Sequence, residues 1–412
     1  MDTNRRKLTF AITTILIIII AGTLLFVISN SPAQRTLVVP DDYAQVSWAL
    51  GNATAGDKVY VKSGTYTEKE FVIDKPLSFT GEDSSNTILI GGVEGISGGG
   101  ATINIRSDNV TVSGFTIRSY NFPTPASYFG IYATGNNCTL THNIIENCAV
   151  GIWNNGSFTN FPSTTISDNI IRDNLQTGIL LGGKSSFITI KDNNITGNSL
   201  GINLTDGYRC AITGNRISLN KEGGIGLSGA RNDIFRNILT YNNGSSIAFH
   251  GSSDICRMFN NTIENTQVGI DLAAGSRFSV GGNDISNCAV YAIGFNQTDS
   301  SNVFSNTIRN NAVGIWYSQK EDPVRTNYAV FYRNSFIDND QQVFVGVSVT
   351  INSFDSGPKD GNYWSDYTAK YPNAVEVDNT GVWNTPYVID PNNIDAYPLM
   401  APHETTIRAL VE

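Results

Sequence analysis

Charge is scarce in this chain of 412 residues. Only 15% are Asp, Glu, Lys or Arg, and 27 basic residues face 36 acidic ones, a formal charge of −9. A partner held through phosphate contacts needs the opposite balance, so nucleic acid is excluded as a partner. Histidine and methionine number three each (His142, His250, His403; Met1, Met258, Met400) and none is paired in sequence. Cysteine stops at five, an odd number. Composition breaks are also missing between about residues 57 and 357, which argues for one long repetitive body rather than several domains. A hydrophobic fraction of 40% and a mean hydropathy of −0.12 exclude both a polytopic membrane protein and wholesale disorder.

Only one long apolar run exists, Leu8 to Ile28, preceded by Arg5, Arg6 and Lys7. At about 1.5 Å per residue it spans the roughly 30 Å hydrocarbon core. The basic flank leaves the N-terminus inside and the body outside. The expectation is an uncleaved N-terminal transmembrane helix; a cleaved secretory signal, with Ser31 and Ala33 before the cut, is the alternative. Both readings export the body.

What the sequence has in abundance is a repeat of about 23 residues. Asn recurs at Asn143, Asn169, Asn193, Asn215, Asn237, Asn261, Asn283, Asn306 and Asn334. Two residues after each stands an apolar side chain, from Ile145 and Ile171 through to Ile308 and Phe336. Three residues before each stands another, from Leu140 and Ile166 to Val303 and Phe331. A third column follows a Gly-Ile signature, from Ile131 and Ile152 to Ile293 and Ile315. Each unit thus offers three strands too short for hairpins, so units stack in parallel at about 4.8 Å. The fold class expected is all-β: a right-handed single-stranded parallel β-helix of about 10 to 12 coils over 57–357, with an N-terminal capping helix. Around it lie the anchor at 1–30, linker and capping helix at 31–56, a closing motif at 358–400 and a tail at 401–412.

The Asn column is read as structural, because solenoid turns need residues that tolerate left-handed geometry and amides that bond to one another coil after coil. A second polar column lies five residues on, with Asn174, Asn198, Asn220 and Asn242 among its members. Cys148 and Cys288 fall in that column, and Cys138, Cys210 and Cys256 precede the repeat Asn by five. Cysteines sharing a column are two coils or more apart, beyond disulfide reach, so five unpaired buried thiols are expected.

Binding residues are suggested by loop lengths. From each Gly-Ile (or its Ser-Ile and Ala-Ile variants) to the next repeat Asn the spacing is 13 to 15, except 18 from Gly151 and 20 from Gly314. Loops should therefore bulge near 154–163 and 317–328, and both coils carry Trp just after Gly-Ile, Trp153 and Trp316. The coils between place Leu180, Asn203, Gly226, Ala248, Asp271 and Gly294 there, and Tyr132 occupies the position in the coil before. This describes a trough about 34 Å long with aromatic walls and a low floor, suited to sugar rings. Its candidate contact residues are Trp153, Trp316, Tyr132, Asn203 and Asp271. Catalysis has weaker candidates, Asp168 and Asp192 in adjacent coils with Arg172 close by.

The chain ends carry a family resemblance. Asp41 to Leu50 reads as a short helix with an acidic N-cap, and it leads into Gly56-Asp-Lys-Val-Tyr-Val-Lys-Ser-Gly-Thr-Tyr66. This resembles the opening coil of pectin-lyase-like right-handed β-helices, as do Gly81-Glu-Asp83 and Asn109 to Ile117. Gly361-Asn-Tyr-Trp-Ser-Asp-Tyr367, Thr385 to Asp390 and Tyr397-Pro-Leu-Met400 resemble the closing motif of the NosD-type family. That family is named for a periplasmic copper-binding accessory protein and is abundant on archaeal cell surfaces. The resemblance implies copper delivery, against which stands the scarcity of His and Met. Many relatives carry an acidic stretch before Thr-Pro-Tyr; here Asp378 and Glu376 alone supply charge, which weakens calcium binding, and no cofactor is expected. The expected function is a membrane-anchored cell-surface protein that binds carbohydrate or surface-layer material, with a polysaccharide lyase or hydrolase as the alternative and a copper accessory protein third.

Overall fold

Alternating apolar side chains at a fixed repeat have one way to share a core: identical strands must lie side by side. The structure, a computed structural model, describes residues 34–92, 100–120, 128–155, 164–183, 185–273, 275–317, 328–346 and 352–403. In it the chain winds as a right-handed parallel β-solenoid with three parallel sheets of thirteen strands each. The first sheet's inward column runs Leu140, Ile166, Ile190, Ile212, Ile234, Met258, Val280, Val303, Phe331, paired coil to coil without a slip. The second runs from Ile145 through Ile308 and Phe336 to Trp364. The third runs from Ile131 through Ile315 to Val343. Nearly all these side chains are completely buried, so the three predicted columns are the core.

The repeat asparagines form a continuous hydrogen-bonded ladder. Asn215 is representative: its backbone N–H donates to Asn237 Oδ1 at 3.0 Å, and its Nδ2 donates to the same oxygen at 3.0 Å and to the Ile190 carbonyl at 3.0 Å. One detail of the expectation needs correcting. Left-handed backbone geometry is adopted by the residue before each Asn, such as Asp168, Asp192 and Arg236 at φ near +57°, and not by the Asn itself. The corner and the ladder are thus divided between neighbours: one residue turns the chain and the next satisfies it. The second ladder runs from Asn174 to Asn242 and resumes from Asn311 to Asn339. All five cysteines are buried and free, with burial pushing the thiols up to about 11 at Cys138, Cys210 and Cys256 and about 12 at Cys148 and Cys288.

At the N-terminal end, Thr36–Val39, within the stretch expected as linker, already pairs with Lys58–Val61 in the first sheet. The helix is Val46–Asn52, shorter than the expected Asp41–Leu50, and its first turn is not capped by Asp41 or Asp42. The Glu68 carboxylate accepts from the Val46 and Ser47 N–H groups at 2.8 and 3.1 Å. Asp42 instead accepts from Val38 N–H, and Asp41 pairs with Lys62. The expected anchor, Leu8 to Ile28, lies outside the described residues; among those described, no helix is long and apolar enough to cross a membrane.

At the other end the closing motif has a physical role. Asn362 is the last rung of the first ladder, and below it Asp395 Oδ2 accepts from Asn362 N–H at 2.8 Å and from the Trp364 indole N–H at 2.9 Å. Trp364 lies between Phe336 and Tyr387, with ring centroids at 4.4 and 4.2 Å and near-parallel planes. Burial pushes the Asp395 carboxyl up to about 7, against the pull of its N–H donors. The unfolded carboxyl ionises near 3.8, so the folded state holds the extra proton between those values. Stability from this group is complete below about pH 4 and lost as pH rises through about 7. In equilibrium denaturation, wild type should lose stability relative to Asp395→Asn over that window; a difference that stays flat with pH would contradict the assignment.

Candidate functional site

In each coil, the residue after the Gly-Ile pair leaves the core and points outward, since side chains alternate along a strand. On the third sheet these residues form one column in register: Tyr132, Trp153, Leu180, Asn203, Gly226, Ala248, Asp271, Gly294, Trp316 and Phe344. Tyr132, Trp153, Asn203, Asp271 and Trp316 therefore share one face. Seven coil steps separate the two tryptophans, about 34 Å. The loops expected beside them fall largely outside the described residues, at 156–163 and 318–327.

Both tryptophans are half-buried among aromatic neighbours. Trp153 meets Phe129 edge-on at 4.7 Å and Tyr132 at 5.1 Å. Trp316 lies flat on Tyr291, 5.1 Å away with planes 6° apart. Tyr291 belongs to a second outward column, Thr177, Leu200, Gly223, Ser245, Val268, Tyr291, which the sequence reading did not reach. The signal was present, three residues before the first column, but one residue that the ladder skips, Gly in most coils and Ala292 after Tyr291, makes outward positions recur at a spacing of three instead of two. The floor differs from expectation for the same reason. A Cβ on Gly294 would collide with Cε2 of Tyr291, whose ring covers that glycine. Leu200 leans over Gly223 and Gly226, 3.4 Å from where each would carry a Cβ, and His250 Nε2 stands 3.6 Å from that point on Gly226. The low part of the floor is thus at Ala248 and Asp271.

Asp271 is the only charged side chain in these two columns. Burial raises its carboxyl pKa, with His250 and a hydrogen bond from Tyr291 pulling the other way. Burial, then the Asp271 charge, holds the Tyr291 phenol well above its usual value.

The catalytic candidates sit elsewhere. Asp168 and Asp192 are exposed corner residues between the first and second sheets, preceding the ladder residues Asn169 and Asn193. Arg172 turns to Glu146, Nε to Oε2 at 2.7 Å, and the same carboxylate takes Arg118 Nε at 2.7 Å. This network of a buried Glu146 between two partly exposed arginines, Arg118 and Arg172, was not foreseen, though Glu146 and Arg172 are register partners.

Family comparison agrees with this architecture. The model of a family described as periplasmic copper-binding protein (NosD) matches residues 50–244 and 223–369. The chain belongs to the NosD family. No curated protein matches it. Among solved structures, this NosD-family chain is similar to the A-module of the Azotobacter vinelandii mannuronan C-5 epimerase AlgE4, at TM-score 0.62 and 15% identity over 77% of this chain and 96% of that one. It is also similar to a GH87 α-1,3-glucanase catalytic domain in complex with nigerose, at TM-score 0.55 and 14% identity over 81% and 70%. A third is the Dettilon tailspike protein, at 0.54 and 17% over 79% of this chain and 66% of that one. At such identities the likeness shows the fold.

The donors for copper do not fit the family's description. His142 is a corner residue, His250 lies on the third sheet, and His403 follows the closing motif, where its backbone N–H donates to Ser335 Oγ. Met258 is completely buried in the first inward column and the thiols are buried with raised pKa. Among the described residues no three His, Cys, Asp or Glu gather. Glu376, one of two acidic residues left for calcium, accepts from Gly381 N–H within its own turn.

Gly294 allows the Tyr291–Trp316 stack. Gly294→Ala should push Tyr291 off Trp316 and change tryptophan emission while the far-UV spectrum stays native. The change should vanish in a Trp316→Phe background; unaltered emission would show that the glycine does not hold the stack.

Proposed function

We propose that the protein is a membrane-anchored, extracytoplasmic protein of the cell surface that binds glycan along the outward face of the third sheet. The observation that carries this reading is the unbroken outward column from Trp153 to Trp316, with polar Asn203 and Asp271 between aromatic ends. Aromatic walls bury the apolar faces of sugar rings while few polar groups fix their orientation. The anchor rests on the run Leu8 to Ile28 with its basic flank, and the family's periplasmic description supports the same orientation. Helix Val46–Asn52, with Val46, Ala49 and Leu50 in the core, serves in this reading as cover for the first coil.

An enzyme is the second reading. It is favoured by the names of the similar structures, an epimerase and a glucanase, and it would place chemistry at Asp168 and Asp192.

A glycan array probed with the full chain in mild detergent, scored for binding and for cleavage, tests both. Trp316→Ala or Trp153→Ala should weaken binding by about 1 to 2 kcal/mol, fivefold to thirtyfold, with inward Ile315 and Ile152 keeping the fold. Variants that bind as before would show the tryptophans to be packing elements. Lost cleavage with retained binding in Asp168→Asn and Asp192→Asn would favour the enzyme.

A further inference from the structure

Several strand-borne carboxylates in this solenoid are answered by an arginine from a neighbouring coil. Asp233 pairs with Arg257 at 2.6 Å and Asp284 with Arg309 at 3.0 Å; Asp254 pairs with Arg277, and Glu146 with both Arg118 and Arg172. Asp271 is not among these pairs. Its register partners are Ala248 and Gly294, and among the described residues no Arg or Lys forms an ion pair with it. It nonetheless stands half-buried at the low point of the third sheet's outward face, beside the stacked rings of Tyr291 and Trp316 and one coil from His250. Among the residues named in the two outward columns around it, Asp271 is the single formal charge, and that charge is negative.

We infer that Asp271, with Tyr291 and Trp316, forms a subsite for a protonated amine carried by the bound glycan, that is, an amino sugar whose nitrogen is not acylated. The inference rests on the third-sheet face being the glycan-binding face and names the sugar chemistry it selects. A carboxylate partly stripped of water, with a Tyr291 hydrogen bond and His250 nearby but no described Arg or Lys paired to it, gains most from a cation that brings its own N–H donors. Electron-rich rings beside it favour the same ligand, because an ammonium group is attracted to aromatic π-systems. A uronate or sulfate would meet like charge here and in the overall −9. A neutral hydroxyl would hydrogen-bond to Asp271 without neutralising it.

The test uses three β-1,4-linked hexasaccharides differing only at carbon 2: glucosamine, N-acetylglucosamine and glucose. Affinities for the full chain in mild detergent are measured by calorimetry at low and high salt. The glucosamine oligomer should bind about tenfold tighter or more at low salt, the increment of a charge-assisted hydrogen bond. That preference should shrink at high salt, a result needing no variant. Asp271→Asn, which keeps shape and removes charge, should bring the three affinities together while leaving those for the other two oligomers nearly unchanged. Equal affinities in wild type, or a preference that survives Asp271→Asn, would overturn the amine subsite and leave glycan binding standing. Binding of none of the three would overturn the subsite; silence across the glycan array as well would overturn the face itself.

Discussion

A buried asparagine amide needs a partner for each of its donors and its acceptor, and in this molecule the partner is the same residue one coil away. The first ladder runs from Asn143, whose Oδ1 accepts from Phe115 N–H, to Asn362, each amide also donating to a carbonyl of the preceding coil. That requirement fixes the register. A slip of one residue in any coil would leave a buried amide without an acceptor and turn an inward Ile to solvent. Asp395 ends the ladder with an acceptor in place of another amide, which is why the closing motif has an Asp where the repeat has Asn.

Fixed register on the inside fixes register on the outside. Residues about 23 apart in sequence become neighbours, so a column of outward side chains is a surface whose composition can vary coil by coil without disturbing the core. The third sheet uses this to set Asp271 between Ala248 and Gly294 and to lay Tyr291 on Trp316. The first sheet carries a competing feature, an outward aromatic stripe of Phe235, Phe259, Phe304 and Tyr332, with Phe304 rings 5.9 Å from Phe259 and 5.3 Å from Tyr332. Beside it Asp233 is already neutralised by Arg257, so among the described residues the stripe has no unpaired carboxylate next to its rings as Asp271 stands next to Tyr291.

The fold was legible in the sequence because its determinants repeat: three apolar columns and the Asn column recur often enough to be read by alignment of the chain with itself. The outward Trp column was legible for the same reason. Features that occur once were not. Glu68 as the helix cap comes from the following coil, Asp395 lies 33 residues from Asn362, and neither has a counterpart elsewhere in the repeat. Tyr291 was missed because the ladder skips one residue, Ala292 in this coil, which shifts the outward spacing, and the position of Asp271 outside the Arg–Asp pairs emerges only when the pairs of other coils are seen side by side.

The central claim is that the third sheet's outward face meets the glycan. Hydrogen–deuterium exchange on the full chain, with and without the tightest-binding oligosaccharide of the array, tests it most directly. Protection should concentrate in the third-sheet strands from Val150–Asn154 and Thr177–Leu181 through Leu200–Tyr208, Gly223–Ala230, Ser245–Asp254, Val268–Ala273 and Tyr291–Asn296 to Val313–Tyr317. Protection confined instead to the aromatic stripe of the first sheet, or spread evenly over all three sheets, would contradict the account.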